Sequence, residues 1–177
     1  GEIEVLQTQA TLEYHSKQGK QCDKTLSQIL ESDPKNVVAL ELKALNFKQM
    51  NNLDKSAEIY KKLLEVGPKE KQAAYHFELG MIGYNSKNSE MAMEHFNLSS
   101  RGRFNPGMSN FFLGMLKFNN KDFKGARGNL TASLLNSDAD PMTPITRFYL
   151  ASSYAQIGKS EAAARNFTKT DDEIETR

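Results

Sequence analysis

Three histidines (His15, His76 and His95), the single cysteine Cys22 and three Asn-x-Ser/Thr sequons are the residues of this sequence whose types most often do chemistry. A protein metal site needs several imidazoles, thiolates or carboxylates converging, commonly from places one helical turn apart. None of the three histidines has a second ligand type at that spacing, so each reads as a surface or half-buried structural side chain. A lone cysteine excludes an internal disulfide and a cysteine metal cluster. Cys22 stands where a small apolar side chain is wanted, which predicts a buried, inert thiol rather than a reactive one. There is no phosphate loop, nucleophile elbow or paired-carboxylate arrangement to point to a reaction. The sequence therefore implies no enzyme, no metal and no cofactor. The sequons at Asn97, Asn129 and Asn166 need no explanation beyond chance, the first two falling in or near predicted helices.

The 177 residues carry 23 basic and 22 acidic side chains, a formal charge of +1, so no global field draws the chain to nucleic acid or to a membrane. No apolar run has the length of a membrane span, and the opening residues GEIEVLQTQATLEYH lack the basic and apolar blocks of a signal peptide. A first residue of Gly suggests that the native N-terminus lies elsewhere. The Lys- and Asn-rich, tryptophan-free composition reads as bacterial, cytoplasmic or periplasmic. One local bias stands out: Arg101, Arg103, Lys117, Lys121, Lys124 and Arg127 face only Asp122 in the same stretch. The plain reading is a solvated helical face. Beside aromatic residues such a set could also hold an acidic amphipathic peptide, or single-stranded RNA with its bases stacked on Phe and Tyr.

The elements that must position these residues follow from a period. Small residues Ala10, Ala44, Gly80, Gly114 and Ala151 recur at spacings of 34, 36, 34 and 37 residues. Twelve residues after each stands another small one (Cys22, Ser56, Ala92, Ala126, Ala163), and four further on a large apolar one (Leu26, Tyr60, Phe96, Leu130, Phe167). Small residues on both helices of a hairpin allow close antiparallel packing, and the later large side chain fills the layer below. Turn signals fall within units at Asn51-Asn52, Lys87-Asn88, Asn119-Asn120 and Gly158. Between units they fall at Asp33-Pro34, Gly67-Pro68, Asn105-Pro106 and Asp140-Pro141. Ten helices are predicted.

This pattern resembles the tetratricopeptide repeat family, most clearly in residues 37–70, where Ala44, Phe47, Ser56, Tyr60 and Pro68 occupy motif places. The resemblance implies an all-α right-handed solenoid of about five hairpins: a divergent repeat at 3–36, then repeats at 37–70, 73–106, 107–141 and 144–170, together one domain. It also implies a concave groove lined by the first helices, and binding of proteins rather than catalysis. The family's carboxylate clamp is missing. Its places hold Gln7, Thr11, Leu42, Ala74 and Glu78 in one register and Glu41, Leu45, Glu78, Met108 and Phe112 in the next, so no chaperone tail is expected.

Counting from each small first-helix residue, the places six and three before and one, four and five after it should face the groove. They are mixed and polar in the first two units and turn apolar from the third onward. The stretch NFFLGMLKFNNKDF, residues 110–123, holds more large apolar groups than a single buried stripe can use. The predicted partner-binding residues are Phe77, Met81, Tyr84, Met108, Phe111, Met115, Phe118 and Phe148, receiving an apolar or amphipathic protein segment. The competing readings are that these side chains pack against one another, or that the protein is a scaffold assembling through its solenoid ends. The linker LSSRGRFNPG, residues 98–107, is expected to protrude. The short acidic run after Phe167 suggests either a longer solenoid or an open last face that pairs with another molecule.

Overall fold

The computed structural model describes residues 1–158 and 160–175, excepting the side chains of residues 160–163 and 175. Ten α-helices follow in order: α1 Glu2–His15, α2 Gly19–Ser32, α3 Val37–Gln49, α4 Leu53–Val66, α5 Gln72–Asn85, α6 Ser89–Ser99, α7 Pro106–Asn119, α8 Phe123–Leu134, α9 Thr143–Gln156 and α10 Ser160–Glu175. Two short 3₁₀ segments, Lys69–Lys71 and Ser137–Met142, precede α5 and α9. Sequential helices pair as antiparallel hairpins, and among the described residues each hairpin packs chiefly on its neighbours along the chain, so the architecture is an all-α solenoid.

The repeated columns explain why the hairpins close so tightly. Ala10, Ala44 and Ala151 are fully buried, and a Cβ on Gly80 would lie 2.7 Å from the Phe96 ring. On Gly114 it would lie 2.6 Å from Leu130. The large residue sixteen places after the small one thus sits directly on it. The middle column adds a hydrogen bond where it can donate: Ser56 Oγ gives to the Ala44 carbonyl at 2.8 Å, and Cys22 Sγ to the Ala10 carbonyl at 3.3 Å. Ala92 and Ala126 are buried in the same place; the side chain of Ala163 lies outside the described residues.

Four of the turns inside hairpins are closed by one motif. A residue with left-handed backbone follows the first helix (Lys17, Asn51, Lys87 and Lys121, φ 57 to 61°), and the residue after it returns an N–H to the helix. The bonds are Gln18 to Glu13, Asn52 to Phe47, Asn88 to Gly83 and Asp122 to Lys117, each a Schellman closure. Gly158 has the same left-handed backbone after α9. Asn52, Asn88 and Asp122 then cap the second helix, their side-chain oxygens accepting from Lys55, Met91 and Gly125 N–H. The turn expected at Asn119-Asn120 lies further on, at Lys121 and Asp122, because the motif is counted from the last helical carbonyls and not from the first polar pair.

α7 starts differently. Its N-cap Asn105 is left-handed and makes no side-chain cap, and the carboxylate of Asp138, thirty residues later, accepts from Gly107 and Met108 N–H at 3.1 and 2.9 Å instead. Three outcomes follow for thermal unfolding. Lys87→Gly should raise stability by about 1 kcal/mol by removing left-handed strain. Asn88→Ala should lower it by about 1 kcal/mol through the lost cap. Asp138→Ala should cost about 1 to 2 kcal/mol, because two N–H groups at a helix start lose their partner.

Candidate functional site

The first helices lie on the inner side of the solenoid. α1 contacts α3 and α7 contacts α9, whereas no two second helices of neighbouring hairpins approach comparably among the described residues. On this side the N-terminal half is polar and internally paired. Lys48 on α3 meets Glu78 on α5 at 3.1 Å, Lys71 meets Glu41 at 2.8 Å, and Tyr75 Oη donates to the same Glu41 carboxylate at 3.1 Å. Burial, with Glu41 beside it, pushes the Tyr75 phenol well above its ordinary pKa, so it stays a donor. These pairs are partly exposed and so contribute little net stability, but they tie α3 to α5.

The C-terminal half is aromatic. One series of rings runs from Phe104 to Phe77, Phe96 and Phe112, with Phe112 also touching Tyr84 and Phe111 at centroid distances of 4.9 to 5.8 Å along the series. A second joins Phe123, Phe118, Tyr149, Phe148 and Phe167. The eight residues predicted to bind a partner divide among these surroundings. Phe111 is only 7% exposed and serves packing, since its ring lies against Phe112 inside the fourth hairpin. Phe77 and Met81 are half-buried against the cluster of Ala92, Phe96, Leu113 and Leu116, and Phe118 is half-buried against Ala126, Leu130 and Leu150. Met108 and Met115 are half-buried. Tyr84 and Phe148 stand out, at 39% and 48% exposed.

Two residues outside that set matter as much. Phe112 is the hub of the first ring series, and the doubled Phe111-Phe112 was the signal, since neighbours on a helix cannot both face one way. Phe104 comes from the 98–107 linker; far from simply protruding, the linker lays this ring on Phe77 at 5.6 Å. The basic residues fall into two groups along the chain. Arg101 and Arg103 precede α7, while Lys117 and Lys121 close it and Lys124 and Arg127 follow on α8. The part of α7 from Pro106 to Leu116, about 16 Å of helix, lies between Arg103 and Lys117. Arg127 is engaged with the Tyr154 ring at 6.0 Å.

The titratable residues singled out by type have structural surroundings. Cys22 is fully buried, and burial, with Glu13 and Asp23 adding to it, pushes its thiol up to about 11. Among the described residues no three His, Cys, Asp or Glu side chains are placed to hold a metal ion, and no helix is long and apolar enough to cross a membrane. His76 on α5 and His95 on α6 meet Nδ1 to Nδ1 at 3.0 Å with ring centres 5.3 Å apart, so the rings meet edge to edge and share one N–H···N hydrogen bond. Burial lowers both pKa values, and for His95 the neighbouring His76 and Lys61 lower it further, against Glu94.

A solenoid of helical hairpins closed on small residues is the tetratricopeptide-repeat fold, and solved structures agree. A MamA crystal structure superposes with a TM-score of 0.80 at 13% identity, covering 98% of this chain and 92% of that one. MamA from Desulfovibrio magneticus RS-1 gives 0.76 at 11%, covering 99% and 96%. YrrB, a TPR protein with an unusual peptide-binding site, gives 0.72 at 16%, covering 92% and 81%. By sequence, no family model and no curated protein matches the chain.

Two measurements probe this surface. Phe111→Ala should cost about 3 kcal/mol or more, a core-cavity penalty, whereas Phe148→Ala should cost under about 1.5 kcal/mol, both read from denaturant unfolding. The second concerns pH. A histidine whose folded pKa lies below its unfolded value stabilises fully above the unfolded value of about 6.5, and that stability is lost as pH falls through it and on through the lowered folded value. The melting temperature should therefore drop between neutral pH and about pH 5, with the drop reduced in the His76→Gln, His95→Gln double variant.

Proposed function

We propose that the chain is a non-catalytic interaction scaffold whose inner face receives an apolar or amphipathic segment of a protein partner. The observation that carries this reading is the uncovered apolar stripe on the first helices. Tyr84 on α5, Ile145 and Phe148 on α9, and Leu45 on α3 are all exposed, with Met81, Met108, Met115 and Phe118 half-buried between them. Rings held against neighbouring rings, Tyr84 on Phe112 and Phe148 on Tyr149, present rigid surface at little entropic cost. The methionines between them adapt to side chains of different shape. The ion pairs of Lys48 with Glu78 and of Lys71 with Glu41 already satisfy the polar half of the face, so the partner's anchors belong over α5, α7 and α9.

The peptide-binding site of YrrB, a protein of the same fold, fits this reading. Single-stranded RNA would need the cations and the rings together, and the separation of Arg101 and Arg103 from the other four disfavours it.

The test is a random peptide library displayed on phage and panned against the chain. Enriched peptides should carry two or three aromatic or aliphatic anchors and bind with Kd on the order of micromolar. Tyr84→Asp with Phe148→Asp, both at exposed positions, should weaken them at least about tenfold while circular dichroism shows the helices still formed. Peptides that bind this variant as well as the original chain would overturn the reading.

A further inference from the structure

Away from the inner face, one contact brings two metal-ligating atoms together. His76 on α5 and His95 on α6 point Nδ1 at Nδ1 across the third hairpin, 3.0 Å apart. The placement follows from the close approach of these two helices. A Cβ on Gly80 would lie 2.7 Å from the Phe96 ring, and one on Gly83 would lie 2.7 Å from the Ala92 backbone. His76 stands four residues before Gly80 and His95 three after Ala92, so both lie on the faces that the glycines let meet.

Two imidazole nitrogens face each other stably only with something electrophilic between them. Here a single proton serves, in the N–H···N bond. A metal ion can take its place. Two nitrogens about 2.0 to 2.1 Å from one ion, at an angle of about 90 to 110°, stand about 2.9 to 3.4 Å apart. The pair is therefore already at chelating distance, and a turn of each ring about χ2 aims both lone pairs at one point. The donor Nδ1 must also lose its proton to its own Nε2. Neither Nε2 has a protein partner among the described residues, and neither is a buried polar atom left without one, so the shift breaks no other bond.

The surroundings favour a cation. Burial holds both imidazole pKa values below the ordinary one, so protons compete little for the lone pairs at neutral pH. His95 is 8% exposed, yet it borders a recess of about 380 Å³ that gives an ion a way in. Glu90 and Glu94 line that recess with Asn88 and Met91, against the single positive charge of Lys61 from α4.

We propose that His76 and His95 together chelate one divalent transition-metal ion of the kind that imidazole prefers, copper, nickel or zinc, through their Nδ1 atoms, with water completing its shell. Two protein ligands make the ion exchangeable, unlike that of a four-ligand structural site. Once bound it clasps α5 to α6, whatever the inner face binds.

Titration calorimetry with nickel(II) at neutral pH tests this. The chain should take up one ion with Kd on the order of micromolar, and saturating nickel should raise the melting temperature. His76→Gln and His95→Gln should each weaken binding at least about tenfold, with circular dichroism showing the helices still formed, whereas His15→Gln on α1 should change nothing. Copper(II) read by electron spin-echo spectroscopy should show two coordinated imidazoles in the original chain. That reading needs no variant, so it decides even where a substitution disturbs the fold. Affinity weaker than about millimolar, affinity unchanged in both Gln variants, or a copper spectrum with fewer than two imidazoles would overturn the proposal and leave the pair as a structural hydrogen bond.

Discussion

The structure depends on how closely two helices can approach at one point in each hairpin. At Gly80 and Gly114 there is no room for a Cβ, because Phe96 and Leu130 occupy the space; in the other hairpins alanine fills the same place. Close approach brings the thiol of Cys22 and the hydroxyl of Ser56 onto carbonyls of the facing helix. It also leaves a connection so short that the chain must reverse through a left-handed residue, even where that residue is lysine. The exposed surfaces follow from this spacing, since it fixes which first-helix side chains are pressed against a neighbour and which are left on the inner side.

That constraint is also what made the fold readable. Three columns of residue types at fixed offsets mark the helix contacts, and the helices fall where the columns require. The site was less readable, because a helical offset gives a direction and not what lies in that direction. Phe111 occupies an inward-pointing place by counting, yet it is only 7% exposed, its ring edge against Phe112. The linker before α7 shows no periodicity, so the placement of Phe104 on Phe77 left no trace in the spacing. The bond of Asp138 to the start of α7 spans thirty residues between two irregular segments, beyond the reach of any local cap rule.

The excess of large apolar residues in the third to fifth hairpins has two uses. Much of it forms two connected ring series that cross from hairpin to hairpin, stiffening joints that the N-terminal half instead bridges with ion pairs. Two members of these series, Tyr84 and Phe148, also keep 39% and 48% of their surface exposed. The inner face is thus a rigid aromatic base carrying a few uncovered rings.

Contacts limited to chain neighbours give the molecule a mechanical character as well. Among the described residues the substantial contacts join only neighbouring hairpins, so a load applied between the ends passes through each joint in series. A series of joints yields at its weakest one first, and the chain released there lengthens while the remaining hairpins keep their packing. Under tension this solenoid would extend stepwise, one hairpin at a time, where a protein with a single shared core would give way all at once.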